Sequence, residues 1–263
     1  MYNKNRRHLM YKWNDFKKIT AVTSKRTGGF STGDFSSLNL ALHVGDDKET
    51  VFKNRECFFG KNEVMMAPKN SVFVAQNHST IVKKVTFKDA GRGFYDFNDG
   101  IKADALYTDE PGLNLAIYHA DCVPVFIYVP THNIVGIIHA GEQGSVGNIT
   151  GILVRKLFLE GVKPEEVYAH IGPSASMGHR VITKERAFEL AALGGDIIKA
   201  IKATEPQYFI DLPLLNTLQL RTLGVPLSNI TYSNICTYEN NDEYYSYARN
   251  KVTGRNISFI RLN

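Results

Sequence analysis

Three residues of this sequence have types and surroundings that could do chemistry together: His78, Cys122 and His139. Cys122 closes "HADC" within "AIYHADCVPVFIY" (116–128), where apolar runs flank His119, Asp121 and Cys122. His139 ends the apolar run of "VGIIHAGEQG" (135–144), and His78 sits in "AQNHST" behind "SVFV". Two neutral imidazoles and a thiolate are zinc ligands, and a three-ligand set keeps the open fourth position that marks a catalytic zinc. The plain alternative is a buried small cysteine and two satisfied core histidines, since such triplets also arise by chance.

These residues need apolar elements to hold them. "ITAVTSK" alternates as a strand does, then enters a Gly/Ser/Thr-rich loop, "RTGGFSTGDFSSLNLAL". "DDKETVFKNRECFF" has helical spacing, with Asp46 or Asp47 placed to cap it. "SVFVAQNHSTIVKKVTF" predicts two strands around a polar break at Gln76–Thr80. The near-continuous apolar runs of 103–141 suit strands covered on both faces. Val146, Ile149, Leu153 and Leu157 predict a helix ending near Gly161. "VYAHIG" and "YFIDL" predict strands, "KERAFELAAL" and "PLLNTLQLRTLG" helices, and the last forty residues strands joined by polar turns. The expectation is one mixed α/β (α+β) domain over residues 21–263, with mixed sheets flanked by helices. It follows a basic, loosely ordered segment, residues 1–20.

The balance of 31 Lys+Arg against 26 Asp+Glu, a net charge of +5, suits an anionic small substrate as well as nucleic acid. No RNA-binding signature or zinc-finger repeat accompanies it, so nucleic acid is not expected as a partner. No apolar stretch approaches the ~18 residues of a membrane span, and no apolar segment follows the charged N-terminus. Cys57, Cys122 and Cys236 form neither an even set nor a CxxC pair, which points to a reducing compartment, the cytoplasm. The expected state is a monomer or small homo-oligomer.

From residue 23 onward the chain resembles the bacterial YfiH/YlmD family, also called the laccase-domain or polyphenol-oxidase-like family. The resemblance rests on an ordered series: "GGFS", "SLNLALHVGDD", "VFKNR", "QNH", "ADALYTDEPGLNLAIYHADCVPV", "HAG", "IGP", "FIDL", "CTYEN", "YSYAR" and "TGR". It implies a layered, cysteine-hydrolase-like fold with zinc on His78, Cys122 and His139. It also implies phosphorolysis of adenosine, inosine, guanosine and methylthioadenosine, with adenosine deamination as a companion reaction. In such a site zinc would polarise phosphate, or lower the pKa of water towards ~7.

Phosphorolysis needs cations or backbone amides for phosphate. The candidates are Arg26, Arg55, Arg249 and Arg255, with Ser31, Asn39 and His43 as further pocket residues; each has a plain alternative as a surface pair or loop hydrogen-bonder. Asp121 is expected to be structural, since neighbours along a strand face opposite ways. The family usually continues H-A-G with W-R-G, where this chain has Glu142 and Gln143, and S-Y-R-R is "SYAR" here. "QNHS" lacks the usual Gly after His78, and Ser174 stands where a Cys is common. Glu142 therefore reads either as a general base favouring hydrolysis or as an exposed loop residue. Two rival functions remain. A copper polyphenol oxidase needs several copper centres and paired histidines, yet there are 8 His and no H-x-H, although copper outcompetes zinc in raw affinity. A metal-binding protein with catalysis weakened by "HAGEQG" is the other.

Overall fold

Apolar side chains alternate between two sides of the central strands, and that alternation sets the layers. The computed structural model describes residues 9–61 and 64–263. Its strands are β1 (Met10–Trp13), β2 (Ile19–Ser24), β3 (Ser71–Phe73), β4 (Val82–Lys84), β5 (Ala105–Thr108), β6 (Asn114–His119) and β7 (Val123–Val129). There follow β8 (Ile134–Ala140), β9 (Tyr168–Ile171), β10 (Val181–Ile182), β11 (Ile201–Thr204), β12 (Gln207–Ile210), β13 (Ile230–Tyr232) and β14 (Asn256–Leu262). The helices are α1 (Lys48–Phe59), α2 (Glu142–Val146), α3 (Ile149–Leu159), α4 (Lys184–Ala192) and α5 (Leu212–Thr222).

One sheet runs β1-β2-β14-β6-β3, a second β13-β9-β7-β8-β5-β4, and a small third sheet β10-β12-β11. Leu115 and Ile117 of β6 and Ile260 and Leu262 of β14 meet Phe126, Tyr128, Val135 and Ile137 of β7 and β8 between the two large sheets. The alternate residues face outward. Ala116, Tyr118, Ile257 and Phe259 pack with Phe58 and Phe59 of α1, whereas Val125, Ile127 and Ile138 pack with Leu153 and Leu157 of α3 and Leu215 of α5. The fold is a layered mixed α/β sandwich, and its strands read as unbroken apolar runs because both faces are covered. Among the described residues no helix is long and apolar enough to cross a membrane.

Several sequence expectations change. The segment 1–20 is not loose from Met10 onward: Met10–Trp13 pairs antiparallel with Ala21–Ser24, and Trp13 is buried. Residues 1–8 lie outside the described residues. The two strands flanking Gln76–Thr80 join different sheets. The helix expected through Val146 and Leu157 is broken by Asn148, in the left-handed region (φ 60), whose side chain caps α3 by accepting from Gly151 N–H at 3.0 Å. Asp47 caps α1 by accepting from Thr50 N–H. Between Tyr232 and Asn256 the expected strands are turns, knitted by side-chain bonds to backbone.

His170 of β9 holds β1 in place. Its ring stacks on Tyr11 (5.7 Å, 13°) and Trp13 (5.3 Å, 14°), and its nitrogens share hydrogen bonds with Tyr11 Oη (3.0 Å) and Thr231 Oγ1 (2.8 Å). Burial pushes its pKa down to about 4, against the opposing charge of Asp15. Burial likewise lowers His43 to about 4 and His119 to about 3. In the unfolded chain an imidazole titrates near ~6.5, so the unfolded state binds more protons between that pH and 4. The destabilisation is therefore absent above ~6.5, grows as pH falls, and reaches about 3 kcal/mol at most from His170. Urea unfolding across this window should show stability falling with pH, with a shallower slope in His170→Asn; parallel slopes would exclude His170 as a source.

Candidate functional site

The chain crosses between the two large sheets twice where the donors meet. The loop after β3 leaves the five-stranded sheet for β4 and carries His78, while the turn from β6 to β7 makes a similar crossing and carries Cys122. His139 lies near the end of β8, opposite Pro124 of β7. One donor atom from each of His78, Cys122 and His139 lies within 4.8 Å of the others. His139 is buried, Cys122 half-buried and His78 exposed, so one side of the cluster is open.

A buried carboxylate organises all this. Asp104 accepts the backbone N–H groups of Asn77 (3.3 Å), His78 (3.0 Å) and Ser79 (2.7 Å), the Ser79 hydroxyl (2.7 Å) and His139 Nδ1 (2.8 Å). Those bonds hold His78 in the left-handed region, φ 63, which a non-glycine residue adopts only when its surroundings enforce it. With Nδ1 tied to Asp104, His139 offers Nε2 as a donor. The Gln76 amide runs the loop along β6, accepting from Tyr118 N–H (2.9 Å) and donating to Tyr118 C=O (2.7 Å). Gly141 makes room: a Cβ there would lie 2.7 Å from His78 Cδ2 and 3.2 Å from Cys122 Sγ.

Cys122 and His139 act on each other electrostatically. Burial pushes the Cys122 thiol up, but the charge of His139, hydrogen bonds from His139 and His78, and the charge of Arg180 together hold it well below the ordinary thiol range. Burial lowers His139, and the Cys122 thiolate and the Asp104 bond outweigh it, raising the imidazole to about 9. A thiolate, an imidazole positioned by a carboxylate and a second imidazole form a donor set that fits zinc, with room for a further ligand. Without a metal, the Cys122–His139–Asp104 order is that of an activated nucleophile, its base and the group orienting the base.

The cluster lines a cavity of about 790 Å³, whose walls include His43, Phe97, Tyr118, His119, Glu142, Arg180, Arg186, Tyr247, Lys251 and Arg255. Among the described residues, Arg180 Nε and Nη2 and His119 Nδ1 are buried without a hydrogen-bond partner. His43 stacks on Phe97, with centroids 3.9 Å apart.

Comparison with known proteins adds the ancestry. Residues 20–263 match the family model described as multi-copper polyphenol oxidoreductase laccase. The curated relatives include purine nucleoside phosphorylase YlmD of Bacillus subtilis, 36% identical, covering 94% of this chain and 89% of the relative. Purine nucleoside phosphorylase YfiH of Escherichia coli is 30% identical, covering 97% and 98%. Among solved structures, YlmD of Geobacillus stearothermophilus superposes with a TM-score of 0.89 at 33% identity, covering 94% of this chain and 93% of that one. Bacillus licheniformis YfiH gives 0.92 at 32% identity, covering 97% and 96%. The chain belongs to the YfiH/YlmD laccase-domain family.

Within this YfiH/YlmD chain, the pocket residues expected from sequence divide in two. His43 and Arg255 are on the wall. Arg26, Ser31, Asn39, Arg55 and Arg249 are not, and each is held elsewhere. Arg26 donates to Ser36 C=O and Asn241 and lies over the Tyr245 ring. Buried Arg55 donates to the carbonyls of Leu40 and Phe94 and to Tyr118 Oη. Arg249 donates to the carbonyls of Thr237, Tyr238 and Tyr244, closing the loop before β14. Ser31 donates to Asp46, and Asn39 folds its own turn and accepts Arg255 N–H. Asp121 lines the cavity from a turn at φ 91, not from a strand, and accepts from Thr237 Oγ1 and Ala248 N–H, both at 2.7 Å.

Glu142, the first residue of α2, lines the cavity but is ion-paired: Arg186 Nε of α4 lies 3.3 Å from its Oε1. The loop carboxylate thus meets a guanidinium from a distant segment. Sequence reasoning missed Asp104, Arg180 and Arg186. Asp104 alone had a signal, a lone acid in "ADALY".

Asp104→Asn and Gly141→Ala should each weaken divalent-metal binding at the three-donor cluster, about 10- to 100-fold for the former, as for other partners that orient metal ligands. Competition against a chromophoric chelator measures it, and unchanged affinity in both variants would remove Asp104 and Gly141 from the site's design.

Proposed function

We propose that this chain is a zinc-dependent purine nucleoside phosphorylase. It would convert adenosine, inosine, guanosine or methylthioadenosine and phosphate to free base and the sugar 1-phosphate, with adenosine deamination as a side activity. The observation that carries this reading is a three-donor cluster, open on one side, in a cationic, aromatic-walled cavity of nucleoside size. The names of the relatives at 30–36% identity support it.

His78, Cys122 and His139 would hold the zinc, which supplies Lewis-acid polarisation of an oxygen. Arg180 and Arg255 bind phosphate through their guanidinium groups. Phe97 and Tyr247 offer flat surfaces to the purine, and His43, kept neutral by burial, offers an imidazole edge for a hydrogen bond. The glycosidic C–N bond breaks as a phosphate oxygen bonds to the anomeric carbon, and the proton of hydrogenphosphate ends on the departing base. Glu142 shares Arg186 with Glu189, and Arg180, Lys251 and Arg255 keep the cavity attractive to an anion. The three cysteines are unpaired, which supports a reducing compartment, the cytoplasm.

Zinc-loaded protein incubated with adenosine, with and without phosphate, should give adenine and ribose 1-phosphate only when phosphate is present, as read by mass spectrometry. Cys122→Ala should abolish turnover. Arg255→Ala should raise the KM for phosphate about 10- to 100-fold, the effect of losing a charged hydrogen bond. Inosine formed without phosphate would move the main activity to deamination. A folded Cys122→Ala variant with full activity would refute the site, and no product from any nucleoside would favour a metal-holding protein. Oxidation of a phenol by copper-loaded protein would instead favour the polyphenol oxidase reading.

A further inference from the structure

A second set of metal donors lies at the edge of the same cavity and shares no residue with the first set. His179 ends the 3₁₀ turn Met177–His179, and Cys236 and Glu239 lie in the turns after β13. One donor atom from each lies within 4.8 Å of the others, and His179 Nε2 is 3.1 Å from Glu239 Oε1. Cys236 is buried; its sulfur accepts Ser176 N–H at 3.4 Å, and its thiol donates to Ser176 Oγ at 3.3 Å. The Tyr238 ring stacks on His179 with centroids 3.8 Å apart and planes 15° apart, fixing the imidazole plane. Glu239 is exposed, so an ion there would keep contact with water.

We propose that His179, Cys236 and Glu239 form a second binding site for a zinc-class divalent ion. Thiolate, imidazole and carboxylate together select zinc over magnesium or calcium, which prefer oxygen alone. Zinc holds sulfur at about 2.3 Å and nitrogen or oxygen at about 2.0–2.2 Å, so the donors must draw together by roughly an ångström. That movement falls on Glu239 and His179, both outside the sheets, while the Ser176 contacts keep Cys236 still. The ion would tie the segment 176–180 to the turn at 236–240. Arg180 follows His179 directly and lines the cavity, its Nε and Nη2 without a partner among the described residues, so the second ion anchors the loop that brings this charge to the first site.

The test counts ions rather than turnover, so its result is independent of the activity proposed above. Full-length protein stripped by chelator, reloaded with zinc and freed of excess metal should carry two ions per chain by native mass spectrometry. Cys122→Ser and Cys236→Ser should each carry one, and the double variant none. Cobalt in Cys122→Ser should still show a sulfur-to-cobalt charge-transfer band, and Cys236→Ser added to it should remove the band. Because Cys236 is buried, the exposed change Glu239→Gln and the half-buried change His179→Gln serve as independent variants. Each should weaken the second ion about 10- to 100-fold and leave the first in place. The proposal is overturned if wild-type protein carries one ion that Glu239→Gln and His179→Gln do not affect, or if the cobalt band in Cys122→Ser survives Cys236→Ser.

Discussion

The carboxylate of Asp104 is the interaction on which the site depends. A buried charge is tolerated only when paired and fully hydrogen-bonded, and Asp104 meets that condition with five donors. Three are consecutive backbone N–H groups, so the carboxylate does for the loop at 77–79 what a helix cap does for a first turn. The fifth is His139, and the Asp104 carbonyl also accepts His139 N–H at 2.7 Å. One residue thereby sets the backbone of one imidazole donor and the ring of another. Any change to it acts on both, which makes their positions a single variable.

The sandwich explains why such a residue lies where it does. Along β6, β7, β8 and β14 both faces are covered, and a polar side chain in mid-strand would have no water and few partners. A mid-strand polar group such as Ser258 is bonded on the spot, to Thr23 and His119, and the donors that stay open lie at the ends, where the chain leaves one sheet for the other. Two such crossings run side by side here, and β8 ends against them. The donors come together because the layers force the polar residues to one rim. Gly141 then sets how closely that rim can pack, since a methyl group would occupy the space of the His78 ring.

This logic also marks what was legible in the sequence. Runs such as "VPVFIYV" and the ligand-type residues that end them declare covered strands and a polar rim, and caps such as Asp47 are local. Sheet membership was not legible: "SVFV" and "IVKKV" look like neighbours, yet they belong to different sheets, because pairing partners lie far away in sequence. Met10–Trp13 looked loose beside its lysines and arginines, whereas the stacking surface for its aromatic residues comes from His170. The arginines misled for the same reason. A guanidinium that binds three carbonyls, as Arg249 does, and one that faces a cavity, as Arg180 does, are identical in a string of letters.

Charge balance at the pocket depends on that same distinction. Judged by neighbours in sequence, "HAGEQG" loses a cation and gains an anion beside the donors. In three dimensions the Glu142 carboxylate shares Arg186 with Glu189, and Arg180, Lys251 and Arg255 bring cations to the cavity wall from further segments. Coulomb interactions fall with distance and are indifferent to chain order, so cations supplied by distant segments offset an anion in α2 as well as sequence neighbours would. The constraint on this site is the sum of charges around the cavity, which leaves any single loop free to vary while the donors, held by Asp104, are not.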